Sequence, residues 1–386
     1  MGHSIAFSAG EASGDLNGAR LAQELLALRP QLRLWGAGGR RMREAGVEMA
    51  LDMSGSGSIG IAASVKAAPQ ILARYLRLRS LLLSRKPDLF VPIDFGAFNT
   101  RLAQIARKNC IPVVYYFPPS SWRRRPTNAP RLRACGGKVI TPFPWSAQAL
   151  CAQGVDARFV GHPLIDIVRP SVERDQFLRE LDCSDCVPLI GLLPGSRSHE
   201  IAEHVGPMLE CARIVHRELG RAQFVVGAAW GSADRIRARI ERAWGRKQDC
   251  PPMRVLEGRA YDCIAHARLL ITASGTATLE AGIAGTPMVI VYRGSALMRL
   301  EYRLRRSELE EHIGMPNIIL GRQVCPELVN EDVTAGRLAD ATLRLLRDEE
   351  ALARMRAELA EMRAQLGEPG AARRAAQALL EMGGLA

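Results

Sequence analysis

The sequence predicts an α/β protein of two doubly wound, Rossmann-like domains that face a cleft. Three observations carry this. Apolar runs of about five residues recur along the chain, as buried parallel strands require. Each is followed by a turn of small or acidic residues, then by apolar residues at helical spacing. The series runs through residues 1–165, breaks over a charged interval, and starts again at Leu189. A chain of 386 residues is long enough for two separate cores.

In order, Ser4–Ala9 is a strand and Gly10–Asp15 a small polar turn. Leu16, Ala19, Leu21, Leu25 and Leu28 then follow a helical repeat that Pro30 stops. Leu32–Gly36 is the second strand, and a short helix over Arg40–Ala45 ends at Gly46. Ser54–Ser58 alternates serine with glycine and reads as a loop. Ile59–Val65 continues it as an exposed apolar stretch, and a basic helix follows with Leu72, Leu76 and Leu82 among Arg74, Arg77, Arg79 and Arg85. Leu89–Ile93 and Val113–Phe117 are strands flanking a helix over Thr100–Lys108; Val139–Thr141 and Arg158–Val160 are shorter strands. Asp166–Pro188 is charged and weakly periodic, and reads as a linker. The second domain, 188–365, opens with strand Leu189–Leu193 and helix Ile201–Glu218. Strands follow at Gln223–Val226, Met253–Leu256, Leu269–Thr272 and Met288–Tyr292. Helices are expected at Ser232–Ala243, Ala277–Ala284, Met298–Arg306, Ala335–Arg347 and Glu349–Gln365, with Gly314–Leu320 as a loop. Residues 366–386 hold a last helix, for which one placement is back against the first domain.

In such sheets a ligand lies beyond the carboxyl ends of the strands, so the turns there carry the functional information. Ser274-Gly275-Thr276 opens a helix whose first amides lack internal partners and carry the positive end of its dipole. Without a large side chain in the way, a phosphate can approach them. Glu280, about one turn on, can accept from sugar hydroxyls. Ser196-Arg197 occupies the equivalent turn after Leu193, and the Arg197 guanidinium suits a diphosphate. Asn317 is a candidate for the base or a phosphate. The plain alternative is a βαβ crossover whose small residues serve packing only. In the first domain Glu11, Asp15, Asp94 and His162 stand at strand ends as candidate general bases. Each also has a structural reading: Asp15 as a helix cap, Asp94 bonding the turn behind it, His162 orienting the loop before Pro163.

Composition limits the partners. The net charge is +12 and nearly all the basic residues are arginine, which fits an anionic partner. Aromatic content of 5%, without aromatic-basic interleaving, argues against single-stranded nucleic acid, and no nucleic-acid partner is expected. Nine scattered cysteines indicate a reducing compartment, and the Cys183-x-x-Cys186 spacing has no second pair to make a zinc site. No cofactor or metal is expected, since no acidic pair or His/Cys cluster has metal-ligand spacing. The N-terminus lacks a signal peptide's basic and apolar regions, and no run approaches the ~18 apolar residues of a membrane span. A cytoplasmic protein is expected, peripheral on the inner membrane, with Ile59, Ile61 and Val65 touching an acidic phospholipid surface.

Several motifs together resemble one family. Ser8-Ala9-Gly10-Glu11-Ala12-Ser13-Gly14-Asp15, Ile93-Asp94 with Phe98-Asn99, Pro119-Ser120 with Trp122, and Gly161-His162-Pro163 lie in the first domain. Leu193-Pro194-Gly195-Ser196-Arg197, Ser274-Gly275-Thr276-Ala277-Thr278-Leu279-Glu280 and Pro316-Asn317 lie in the second. In this order, over nearly the whole chain, they are similar to the lipid-A-disaccharide synthase family. The resemblance implies a GT-B fold and inverting transfer of 2,3-diacylglucosamine from its UDP-linked form to 2,3-diacylglucosamine 1-phosphate (lipid X), releasing UDP. It implies that Ser196, Arg197, Ser274, Gly275, Thr276, Glu280 and Asn317 hold UDP-sugar, and that Ser13, Asp15, Asn99, Ser120, Trp122 and His162 lie on the acceptor side. One departure bears on catalysis. Where the family reads Asp-Ala-Pro-Asp-Phe-Asn, this chain reads Asp94-Phe95-Gly96-Ala97-Phe98-Asn99, so Ala97 replaces the family's proposed base. The base then falls to Asp94 first and Glu11 second, or the chain is a degenerate relative that binds nucleotide-sugar or lipid without turnover. A GT-B enzyme with another acceptor is the remaining alternative. The oligomeric state stays open, with a homodimer among the candidates.

Overall fold

The computed structural model describes residues 2–53, 61–119, 121–122, 129–245, 250–294 and 311–385, and for Ala12 and residues 61–68 the backbone alone. They form two compact units, Met1–Asp166 with Gln365–Ala386, and Ile167–Ala364.

The first unit is a parallel sheet of β1 (Ser4–Ala9), β2 (Arg33–Gly38), β3 (Glu48–Asp52), β4 (Leu89–Ile93), β5 (Tyr115–Tyr116), β6 (Lys138–Thr141) and β7 (Asp156–Phe159). Their spatial order is β3-β2-β1-β4-β5-β6-β7. The central strands β1 and β4 are buried along nearly their whole length, as a parallel sheet covered on both faces requires, while the edge strands β3 and β7 carry exposed charged residues. Side chains alternate between two cores: Ile5, Phe7 and Ala9 join one cluster, Ala6 and Phe90 the other. The crossovers contain α1 (Ala12–Leu28), α2 (Arg40–Glu44), α3 (Ile61–Arg85), α4 (Gly96–Lys108), α5 (Ala129–Ala134) and α6 (Pro144–Cys151), and α7 (Leu164–Ile167) follows the last strand.

The second unit is a parallel sheet in the order β10-β9-β8-β11-β12-β13. Its strands are β8 (Leu189–Leu193), β9 (Gln223–Ala228), β10 (Met253–Glu257), β11 (Leu269–Ala273), β12 (Met288–Tyr292) and β13 (Glu327–Val329). Its helices are α8 (Arg174–Glu180), α9 (Ser198–Leu219), α10 (Ala233–Trp244), α11 (Ala260–His266), α12 (Thr276–Ala284), α13 (Met315–Leu320), α14 (Ala335–Arg347) and α15 (Glu349–Gln365). The last helix, α16 (Ala371–Gly383), returns to the first unit. Ala375, Leu379 and Met382 enter the Phe7–Val91 core, and Lys138 Nζ donates to the Met382 carbonyl at 2.6 Å.

Several local expectations change. The turn after β1 is already helical from Ala12, so Ser13 and Asp15 sit in the first turn of α1. Ile61–Val65 belongs to α3 instead of a loop, while Ile59 and the Met298–Arg306 segment lie outside the described residues. Gly314–Leu320 is mostly helix α13. The charged interval 166–188 is not a bare linker: α8 buries Phe177 completely, and Asp262 accepts from the Ser171 amide and hydroxyl at 2.5 and 2.7 Å. Its high charge masked one short amphipathic turn pinned by ion pairs such as Arg259–Glu180.

In both sheets the chain first winds outward on one side of its first strand and then resumes on the other. The reversal falls between β1 and β4, and between β8 and β11. These switch points are where crossovers diverge and leave a crevice at the carboxyl edge.

Candidate functional site

At the β8/β11 switch point, Leu193 pairs with Thr272, so the turns carrying Ser196-Arg197 and Ser274–Glu280 leave adjacent strands at one level. Gly275 has φ +132 and ψ −155, a region that side chains disfavour, and a Cβ there would meet open space. It caps the nine-residue α12, whose first residue, Thr276, is exposed. The α12 amino end is thus bare and accessible. Ser274 is fixed by its hydroxyl, which donates to the Ile313 carbonyl at 2.6 Å, and Thr278 bonds back to the Gly275 carbonyl at 2.8 Å. Glu280 accepts from the Tyr261 hydroxyl at 3.0 Å.

The facing turn is held by Glu200. Its carboxylate accepts from the amides of Ser196 and Arg197 at 3.0 and 3.1 Å, and from Arg197 Nη1 at 3.1 Å. A carboxylate therefore already rests on the amides and guanidinium that would attract a phosphate, which shows the polarity of the place. Asn317 does not fit its expected contact with base or phosphate. It is fully buried, its Nδ2 donates to the Cys325 carbonyl and Glu327, and its Oδ1 accepts from the amides of Val324 and Cys325. It braces the chain between α13 and β13.

At the β1/β4 switch point, Ala9 pairs with Ile93, which sets Glu11 beside Asp94. The Phe95 ring lies against Gly10, where a Cβ would be 2.3 Å from it. Asp94, Phe95 and Gly96 have φ of +46, +55 and +33. Positive φ at two side-chain-bearing residues in succession is strained, and strain of this kind concentrates at functional sites. The bonds that hold it are visible: Asp94 N donates to the Phe117 carbonyl, while its own carbonyl accepts from Asn99 Nδ2 at 3.0 Å and the Tyr115 hydroxyl at 2.8 Å. Burial, reinforced by the Glu11 charge, raises the Asp94 carboxyl from 3.8 to about 6.

The remaining acceptor-side candidates divide. Asn99 is fully buried and spends its amide on Ser8, Ile93 and Asp94, so it positions the turn and offers no free donor. Asp15 caps α2, accepting from the amides of Gly39, Arg41 and Met42. It caps a neighbouring helix, where its own was expected. His162 is buried among Phe117 and Phe143, accepts from the Leu164 amide, and is pushed down to about 3 by burial, so it stays neutral and is a poor base at neutral pH. Ser13 and Trp122 are half-buried, and the Trp122 carbonyl accepts from Trp145 Nε1. Ser120 lies outside the described residues, as do the side chains of Ile61 and Val65. Sequence reading missed Tyr115 and Tyr261, which look like ordinary β-strand and helix residues and act only through the partners the fold gives them.

A cavity of about 730 Å³ lies at the opposite, amino edge of the second sheet, lined by Arg174, Arg221, Arg268 and Arg356. Arg174 and Arg268 pair with Asp185 and Glu349. Helices α9 and α12 end there, and cations suit their carbonyl ends. It does not coincide with either switch point.

A family model described as lipid-A-disaccharide synthetase matches residues 5–382. The chain belongs to that family. The lipid-A-disaccharide synthase of Geobacter sulfurreducens is 37% identical over 381 residues, covering 98% of this chain and 97% of the relative. That of Syntrophus aciditrophicus is 37% identical over 379 residues, with 95% and 94% covered. Among solved structures, a Staphylococcus aureus MnaA–UDP complex superposes with a TM-score of 0.67 at 12% identity, covering 100% and 98% of the two chains. The calicheamicin glycosyltransferase CalG4 gives 0.61 at 15% identity, with 99% and 98% covered. At such identities these establish the fold, which is GT-B. As a member of the lipid-A-disaccharide synthetase family, the chain is a glycosyltransferase of lipid A biosynthesis. No helix among the described residues is long and apolar enough to cross a membrane.

Proposed function

We propose that this glycosyltransferase moves 2,3-diacylglucosamine from its UDP-linked form to the 6-hydroxyl of lipid X, with inversion, giving the disaccharide 1-phosphate and UDP. The observation that supports this most is the bare α12 amino end at the β8/β11 switch point, beside Arg197. A departing diphosphate gains negative charge, and oriented amides and a guanidinium stabilise that charge without reorganising. Arg197 exchanges the Glu200 carboxylate for the diphosphate, Gly275 and Thr276 give it amides, and Glu280, oriented by Tyr261, takes the ribose hydroxyls.

The first unit supplies the base. Attack by the acceptor oxygen on the anomeric carbon requires a group that takes its proton as the bond to UDP breaks. Asp94 suits this: a carboxyl raised to about 6 is ionised at neutral pH yet more basic than an ordinary aspartate. Glu11 keeps it raised. A peripheral position on an acidic inner-membrane face, with Ile59, Ile61 and Val65 at the contact, belongs to the same proposal because both substrates are acylated. Purified protein mixed with UDP-2,3-diacylglucosamine and lipid X should release UDP in step with disaccharide. Binding of UDP with no release to any acylated glucosamine acceptor would sink the assignment.

A further inference from the structure

Trp230 leaves 74% of its surface exposed, and it is the one large apolar side chain in the second unit so exposed among the described residues. It follows the carboxyl end of β9 directly. Its loop is firmly built. The Ser232 hydroxyl donates to the Ala229 carbonyl at 2.6 Å, and the amides of Ser232 and Ala233 donate to Glu257 at 3.1 and 3.2 Å. Gly258, just past β10, donates its amide to the Ala228 carbonyl at 3.0 Å. It has φ +72, and a Cβ on it would come within 2.5 Å of the indole. One part of the ring therefore rests on the Gly258 backbone while most of it stays bare. Burial of an indole would stabilise the fold, so a rigid loop that presents it to solvent points to a ligand.

Its place in the sheet says which ligand. The turns along the carboxyl edge run in the order Gly258, Trp230, Arg197, Gly275, following β10-β9-β8-β11. With neighbouring strands about 4.8 Å apart, two spacings put Trp230 on the order of 10 Å from the α12 amino end. That is the reach from a diphosphate, across a ribose, to its base. We infer that Trp230 is the platform on which the base of the nucleoside diphosphate stacks. The inference rests on the nucleotide-sugar reading of the second unit and adds a binding residue to it.

Calorimetric titration of the full chain with UDP and, separately, inorganic pyrophosphate tests it. Trp230→Ala should weaken UDP about tenfold, the effect of losing one stacked base, and leave pyrophosphate unchanged, while Trp230→Phe should recover most of the loss. Unchanged UDP affinity in Trp230→Ala overturns the platform and leaves the nucleotide site standing. Parallel weakening of UDP and pyrophosphate overturns it too, since damage to the loop then explains the loss. If the unaltered chain binds pyrophosphate but not UDP, or neither, the nucleotide reading itself fails and takes the platform with it.

Discussion

Asp94→Asn should make the protein inactive and more stable at once. The carboxyl of Asp94 rises from 3.8 to about 6 because burial and the Glu11 charge both oppose its ionisation. At 1.36 kcal/mol per pH unit, that rise corresponds to about 3 kcal/mol against folding once the group is ionised. Solvent at its partly exposed edge screens some of this, leaving about 1–3 kcal/mol. The sign follows from proton binding. Between pH 3.8 and about 6 the folded chain holds a proton that the unfolded chain has released, so this contribution to stability falls as pH rises through that window. Asparagine removes the titration. Urea unfolding of both proteins should show a gap favouring Asp94→Asn that is small near pH 4, grows up to about pH 6 and is flat above it.

The same substitution should lower kcat by about 10²–10⁴, the usual loss of a general base, with little change in UDP affinity, because the residues proposed to hold UDP lie in the other unit. In the unaltered enzyme the acid limb of the rate profile should fall near pH 6. A stability gap that does not vary with pH would refute the account of Asp94 as a strained, destabilised carboxylate. An unchanged kcat would refute its role as base, and Glu11→Gln would then be the variant to measure.

Three further outcomes follow from the geometry. Gly275→Ala adds a methyl to the turn that presents the α12 amino-end amides, and forces a side chain into backbone space that costs roughly 1–3 kcal/mol. Calorimetry should show weaker UDP binding with a lower melting temperature, and unchanged UDP affinity would remove those amides from the site. Tyr261→Phe deletes the 3.0 Å bond to Glu280. The loss of one hydrogen bond, about 1 kcal/mol, should raise KM for the donor about fivefold and leave kcat nearly intact, as steady-state kinetics will show. Ala97→Asp adds a carboxylate three residues on from Asp94, in the first turn of α4, at an exposed position. Repulsion should push the acid limb of the pH profile upward by less than about one unit. A gain in rate of more than about tenfold would instead show that Asp94 is not the working base.

What the sequence showed and what it hid divide along a physical line. Strand and helix positions such as Leu89–Ile93, Ala335–Arg347 and Glu349–Gln365 were legible because burial imposes a period on each, and a period is local. The turns at 274–276 and 196–197 were legible as turns because small residues at a helix start are again a local signal. Long-range pairings left no such mark. Asn317 is the one polar side chain in the stretch Gly314–Leu320 and so looks available to a ligand, yet its amide is consumed by Cys325, Glu327 and Val324, partners set only when β13 joins the sheet. Asp15 likewise could be read as a cap, but not as the cap of α2, which is a matter of how the second crossover folds over the first. Tyr115 and Tyr261 went unread because their hydroxyls act across 21 and 19 residues. Side chains that touch substrate must sit on short turns of fixed chemistry, whereas those that aim them need only a hydroxyl at the right distance. Candidate positions on the turns at strand ends are therefore easier to find in a chain of this kind than the residues that hold them in place.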